Sequence, residues 1–228
     1  MVPRKKIIVW AVMIGVLICA LALRLSGIMP ANIRDFGVGN SPGSMNHLLI
    51  IVTPWLLFSL YWEIAAKNVA ADKSAEPTRS RGVHVVLTNV AILLTVIQLH
   101  GSARLLPTSI VLFGIGVAIE SIGLLLAIWS RRCLGRNWSG RITIKVEHQL
   151  IRSGPYRLLR HPIYTGILVM YRGTAMASGT WLAMLGLAMA VFAYARKIRL
   201  EEAIMRSAFG TEYDAYSRDT WAFVPGLY

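Results

Sequence analysis

One short run, Gly154-Pro155-Tyr156-Arg157-Leu158-Leu159-Arg160-His161-Pro162-Ile163-Tyr164-Thr165-Gly166, gathers two tyrosines, two arginines and a histidine where a basic segment turns apolar. Gly154-Pro155 is a turn signal, because proline fixes φ and disfavours helix in the residue before it. Pro162 needs no amide donor in a first helical turn, so a helix is expected to start there. Such a density of hydrogen-bonding groups at a membrane boundary suits a binding site. It suits an interfacial anchor equally, since Tyr and Arg are common where helices meet headgroups. Spacing alone leaves both readings open. Downstream, Glu202 has Arg199 at i−3 and Arg206 at i+4, a pattern that by itself only supports an exposed helix. Glu201 lies on the neighbouring face and is harder to explain as helix decoration. A lone histidine such as His148 is more often a structural hydrogen-bonder than a functional group. Trp138, Trp221 and Phe223 read as membrane-interface anchors. No His/Cys cluster has metal-ligand spacing, and Cys19 and Cys133 form no disulfide framework. Neither G-x-G-x-x-G nor a P-loop is present, which argues against a soluble nucleotide-binding fold.

Gly-Pro-Tyr followed by Arg-His-Pro-x-Tyr-x-Gly resembles the signature of the isoprenylcysteine carboxyl methyltransferase family, which is itself similar to the membrane phospholipid methyltransferases. Two further blocks carry the same resemblance. Upstream lies Leu134-Gly135-Arg136-Asn137-Trp138-Ser139 with His148-x-Leu150; downstream lies Arg199-x-Glu201-Glu202, then Phe209-Gly210-x-Glu212-Tyr213-x-x-Tyr216 and Pro225-Gly226. The blocks stand in the expected order over Leu134–Gly226, while the first 130 residues match only as generic membrane helices. The resemblance implies an S-adenosyl-L-methionine cofactor. It also implies a pocket lined by His148, Leu150, Gly154, Tyr156, His161, Pro162, Tyr164 and the Glu201-Glu202 pair, closed by the C-terminal tail. Such a donor needs aromatic or apolar walls, acceptors for its ribose hydroxyls and amine, and a cation for its carboxylate. Tyr156 and Tyr164 offer rings and hydroxyls, Arg160 and His161 donors, Glu201 and Glu202 acceptors. Methyl transfer is an in-line displacement that needs mainly alignment and exclusion of water. The acceptor is then the nucleophile. Arg160 and Glu201 are the candidate catalytic pair, an arginine to orient a carboxylate acceptor and a base for a thiol or amine.

The elements that must position these groups are membrane helices. The 228 residues are 55% hydrophobic and only 15% charged, with mean hydropathy +0.55, a composition rare among soluble domains. The net charge of +13 would suggest nucleic acid in a soluble protein. Here the positive residues cluster between apolar spans, so anionic lipid headgroups are the expected partners, with a lipophilic acceptor and no nucleic acid. Apolar runs are expected to span at Ile7–Leu23, His47–Ala65 (with a kink at Pro54), Val83–Gly101 and Thr108–Ser130. Ile7–Leu23 has features of a signal peptide, but its length and the Arg24 that follows favour a retained anchor. Pro162–Ala195 is too long for one crossing and is expected to fold as a hairpin turning at Ser178-Gly179. Gly114, Gly116 and Gly123 should let neighbouring helices approach closely. Ile142-Thr143-Ile144 hints at a short extended piece.

The expected fold is therefore all-α and polytopic, about six transmembrane helices including a C-terminal hairpin, with a cytosolic C-terminal helix. Residues 1–130 would form the scaffold and acceptor access, and residues 131–228 the cofactor-binding region. With six crossings, one side carries both termini and 20 of the positive residues, and the other only Arg24, Arg34 and Arg104. That asymmetry puts the termini and the cofactor site in the cytoplasm, in a bacterial or archaeal inner membrane. Glu120 and Arg172 fall near mid-membrane, where charges are costly and usually face a cavity or each other. They are expected to pair, or else to serve the substrate. Rival functions are a phospholipid N-methyltransferase, an NADPH-dependent sterol-reductase-like enzyme and an inactive membrane scaffold.

Overall fold

The computed structural model describes residues 43–66, 72–75, 78–97, 103–139, 143–145, 150–223 and 226. The first expected span, Ile7–Leu23, and His148 lie outside them. Six α-helices follow in chain order among the described residues: α1 (Gly43–Ala65), α2 (Thr78–Val96), α3 (Ile110–Leu134), α4 (Pro162–Ser178), α5 (Trp181–Phe209) and α6 (Thr211–Asp219). Short 3-10 turns at Gly135–Asn137 and Gly154–Arg157 link α3 to α4. The hint of extended chain near Ile142 corresponds to β2 (Thr143–Lys145), antiparallel to β1 (Asp72–Ala75), with Asp72 opposite Lys145. The helical, polytopic architecture expected from composition is what is found.

Among the described residues, three stretches, His47–Ala65, Ile110–Asn137 and Trp181–Phe209, are long and apolar enough to cross a membrane. Leu57, Leu60, Val111, Leu125 and Phe192 on these helices are all more than half exposed. Broad apolar exposure of this kind suits lipid rather than water, as in an integral membrane protein. The interior holds aromatic side chains of α1: Trp55, Phe58 and Trp62 are buried, and Trp55 meets the Tyr171 ring of α4 at 4.8 Å. Helix α2 begins at Thr78, inside what the sequence suggests is a loop, and ends at Val96, short of the expected Gly101.

The most intimate contact is between α3 and α4, and glycine makes it. A Cβ on Gly116 would lie 2.7 Å from the Gly173 carbonyl oxygen, and one on Gly123 2.5 Å from that of Gly166. Reciprocally, a Cβ on Gly166 would lie 2.7 Å from the Ala127 amide. With no hydrophobic driving force between helices in lipid, such backbone approach is a main source of association. Gly114 takes no part, because nothing lies within 4 Å of where its Cβ would be.

The hairpin turns where expected. Helix α4 ends at Ser178, Gly179 caps it with φ 65°, and the Thr180 hydroxyl caps α5 by accepting from the Ala183 amide at 3.2 Å. The Leu105 and Leu106 amides donate to the Gly179 carbonyl at 2.9 and 3.1 Å, which seats the turn. Helix α5 then continues to Phe209, far past the expected end of the apolar run at Ala195. Its 29 residues, about 43 Å at 1.5 Å each, carry Glu201 and Glu202 out to the same end of the bundle as His161.

The expected pairing of Arg172 with Glu120 is not found. Glu120 is fully buried, whereas Arg172 is exposed and no ion pair joins them. The cause lies one residue along: Gly173 presses on the Glu120 backbone, and a step of about 100° per helical residue turns Arg172 away from α3. The buried Glu120 carboxyl makes no hydrogen bond of normal geometry. Thr174 has already committed its proton to the Met170 carbonyl at 3.0 Å and accepts from the Trp55 indole at 3.0 Å.

Candidate active site

Pro162 stands at the first position of α4 and His161 at its N-cap, as the turn chemistry requires. Before them, Gly154 opens the 3-10 turn with φ 58°, and a Cβ there would lie 2.7 Å from the Cys133 sulfur. Only glycine fits that turn against the end of α3. The turn buries Tyr156, and burial, with Glu201 nearby, holds its phenol well above the ordinary range. Leu150 is half-buried at the edge of the described segment.

Four of the expected site residues come together between α4 and α5. Tyr164 donates to Glu201 Oε2 at 2.7 Å, and its ring stacks on the His161 ring with centroids 5.5 Å apart and planes 8° from parallel. His161 Nδ1 lies 3.9 Å from Glu201 Oε2, and its Nε2 lies 3.5 Å from Glu202 Oε1 without the alignment of a hydrogen bond. Tyr194 adds a third ring at 5.2 Å from Tyr164, and the Lys197 ammonium sits 5.4 Å above the Tyr164 ring. Glu201 keeps 23% of its side chain exposed, while Glu202 keeps only 1%.

Glu202 is therefore not helix decoration. Arg160 Nε donates to its Oε1 at 2.8 Å, and Arg206 Nη2 to its Oε2 at 3.2 Å. Arg160 also reaches the C-terminal tail, donating to the Ser217 carbonyl at 2.8 Å and to that of Thr220. The tail is further tied down by the backbone: the Arg160 amide donates to Trp221 at 2.8 Å and the His161 amide to Ala222 at 3.0 Å. The Thr165 hydroxyl donates to the Phe223 carbonyl at 2.7 Å. Tyr216 of α6 donates to the Tyr156 carbonyl at 2.8 Å. Burial raises its phenol pKa to about 12. A cavity of about 380 Å³ opens beside this assembly, lined by Arg160, Arg206, Ser217, Thr220 and Trp221 among others.

Some placements differ from the sequence reading. Trp138 is not an interface anchor but is buried, with the Arg131 guanidinium 4.4 Å above it and Trp62 edge-on at 6.2 Å. Trp221 is 45% exposed. Glu120, on α3, and Arg172, on the outward face of α4, take no part in the Tyr164–Glu201 contact. Tyr194 and Arg206 enter the assembly from outside the expected site residues, as does Tyr213, which the sequence presents only within the downstream block. Arg206 was signalled by its i+4 spacing from Glu202; Tyr194 carried no signal beyond its ring.

The residues present fit a methyl donor. Aromatic faces, two acidic acceptors and basic groups converge, and two buried polar atoms in the assembly, His161 Nε2 and the Tyr213 hydroxyl, have no hydrogen-bond partner. Residues 111–212 match the phospholipid methyltransferase family. That stretch runs from the first turn of α3 to the start of α6 and contains the whole α4–α5 contact. A probable protein-S-isoprenylcysteine O-methyltransferase of Oryza sativa subsp. indica is 30% identical over 114 residues, 49% of this chain and 60% of that protein. The cobalt-zinc-cadmium resistance protein CzcN of Cupriavidus metallidurans is 39% identical over 99 residues, 41% of this chain and 44% of that protein. The solved eukaryotic intramembrane Ras methyltransferase ICMT aligns over 96% of this chain and 68% of its own, with 15% identity and a TM-score of 0.48. The family match over residues 111–212 and the rice relative bear out the likeness read from the sequence blocks. The chain spans about three-fifths of the rice relative's length.

Proposed function

We propose that the protein is an S-adenosylmethionine-dependent membrane methyltransferase whose acceptor is lipophilic and arrives from the bilayer. The observation that carries this reading is the buried His161–Tyr164–Glu201–Glu202 cluster, lying inside the family-matched stretch and strapped by the tail. S-adenosylmethionine supplies a methyl group on a cationic sulfonium. The stacked His161 and Tyr164 rings offer π-faces that attract such a cation, and Glu201 adds negative charge beside them. Glu201, the more exposed of the two carboxylates, accepts from Tyr164 through one oxygen and keeps capacity for a ligand hydroxyl or amine. Arg160 acts as a positioning residue, because its donors hold Glu202 and the tail carbonyls. The Trp221–Phe223 strap keeps water from the transfer path, which an in-line displacement requires.

In this reading residues 131–228 carry the cofactor site, and the preceding helices provide scaffold and acceptor access. The positive-charge asymmetry favours a site on the cytoplasmic side. The naming of the rice relative favours a prenylcysteine-like carboxylate as acceptor. The family's description favours a phospholipid amine as the second reading. Incubation in lipid vesicles with methyl-labelled cofactor separates them. A lipid-soluble product that releases label as methanol in base is an ester, and a base-stable product that co-migrates with N-methylated phospholipid is the amine product. No label in any lipid-soluble product contradicts both.

A further inference from the structure

We propose that Tyr213, on α6, donates its hydroxyl to the carboxylate of the bound methyl donor, a role that rests on the methyltransferase reading above. Tyr213 is 2% exposed, yet its hydroxyl has no hydrogen-bond partner. Burying an O–H without a partner costs about 1–3 kcal/mol, so a fold that keeps one there has a use for it outside its own contacts. Its surroundings select the chemistry. Glu201, Glu202, Arg160 and Arg206 all act electrostatically on the phenol, and burial with the two glutamates keeps it protonated, hence a donor. Glu202, which takes Arg160 on one oxygen and Arg206 on the other, receives no hydrogen bond from the phenol. The missing partner is an oxygen acceptor, and Arg160 and Arg206 offset the charge of the two glutamates, so that a carboxylate can lie there.

The ring is held independently of the hydroxyl. It meets the Tyr216 ring at 6.1 Å and lies beneath the Arg206 guanidinium at 5.8 Å. Tyr213→Phe therefore removes the donor and leaves the packing. The other orphaned atom of the assembly, His161 Nε2, comes from a different element and also borders Glu202. Two unsatisfied groups, on α6 and on the N-cap of α4, both in the surroundings of Glu202, frame the place where the donor's amino-acid head would lie.

The test uses the full chain in lipid nanodiscs, with calorimetric titration of S-adenosylmethionine and of 5′-methylthioadenosine, which lacks the amino-acid moiety. Tyr213→Phe should weaken S-adenosylmethionine binding about tenfold or more, the loss of a charge-assisted hydrogen bond, and leave 5′-methylthioadenosine unchanged. The ligand-free variant should melt no lower than the wild type, since no internal hydrogen bond is lost. Unchanged affinity for both ligands, or equal weakening of both, overturns the carboxylate contact. A lowered melting temperature overturns it too, by giving the hydroxyl a partner within the fold. Wild-type protein that binds no S-adenosylmethionine refutes the methyltransferase reading itself, a distinct result from failure of the Tyr213 contact alone.

Discussion

Removing Glu202 tests whether the buried ion pair holds the site and the tail as one unit. Its side chain is 1% exposed and that of Arg160 is 6% exposed, with 2.8 Å between Nε and Oε1. Deleting one member of such a pair leaves an uncompensated buried charge and costs about 3–5 kcal/mol. The Arg206 contact adds little, because that side chain is 46% exposed and exposed pairs contribute about 0–1 kcal/mol. Glu202→Ala should thus lose about 3–5 kcal/mol. Glu202→Gln should lose less, since its amide oxygen can still accept from Arg160. Replacing both partners, as Arg160→Met with Glu202→Leu, should cost clearly less than the two single changes added together. The assay is a double-mutant cycle by reversible unfolding in mixed micelles, with hydrogen exchange followed over residues 216–223. Arg160→Met should also speed exchange there, because Arg160 holds the Ser217 and Thr220 carbonyls. Strict additivity of the single changes would refute the coupling, and an unaltered tail in Arg160→Met would refute the strap.

Gly166→Ala should destabilise by about 1–3 kcal/mol through overpacking against Ala127, whereas Gly114→Ala, facing open space, should not; melting in detergent compares them. Arg172→Leu should leave stability within about 0.5 kcal/mol, because the side chain is exposed and unpaired with Glu120, and unfolding titration checks it. The Tyr216 phenol, raised to about 12 from an ordinary value near 10, stays protonated in the folded state after the unfolded chain has ionised. Stability from it is therefore complete below about pH 10 and declines as pH rises towards 12, by up to about 2–3 kcal/mol. Tyr216→Phe should flatten that slope in pH-dependent unfolding.

The hairpin was legible because Ser178-Gly179-Thr180 combines a left-handed cap with an N-cap, chemistry local to three residues. Pro162 announced α4 for the same reason. The start of α2 at Thr78 was not legible, because polar residues in a first helical turn resemble a loop when apolar content is the guide. Depth along a helix was readable for Glu120 and Arg172, but facing was not. It depends on which glycines touch, and Gly173 against Glu120 turned Arg172 outward. Likewise Glu202 with Arg206 at i+4 looks the same on an exposed helix and in a buried network. The partner that decides it, Arg160, is 42 residues away. The tail's contacts run to backbone carbonyls of Ser217, Thr220 and Trp221, which leave no trace in side-chain patterns.

The central claim is that the His161–Glu201 assembly binds S-adenosylmethionine, and calorimetric titration of the purified protein tests it most directly. Saturable binding of S-adenosylmethionine and none of NADPH is expected. A loss of about tenfold or more, 1.4 kcal/mol or greater, is expected in folded His161→Ala and Glu201→Ala. Binding of NADPH in its place, or full-strength S-adenosylmethionine binding in both variants, would contradict the claim.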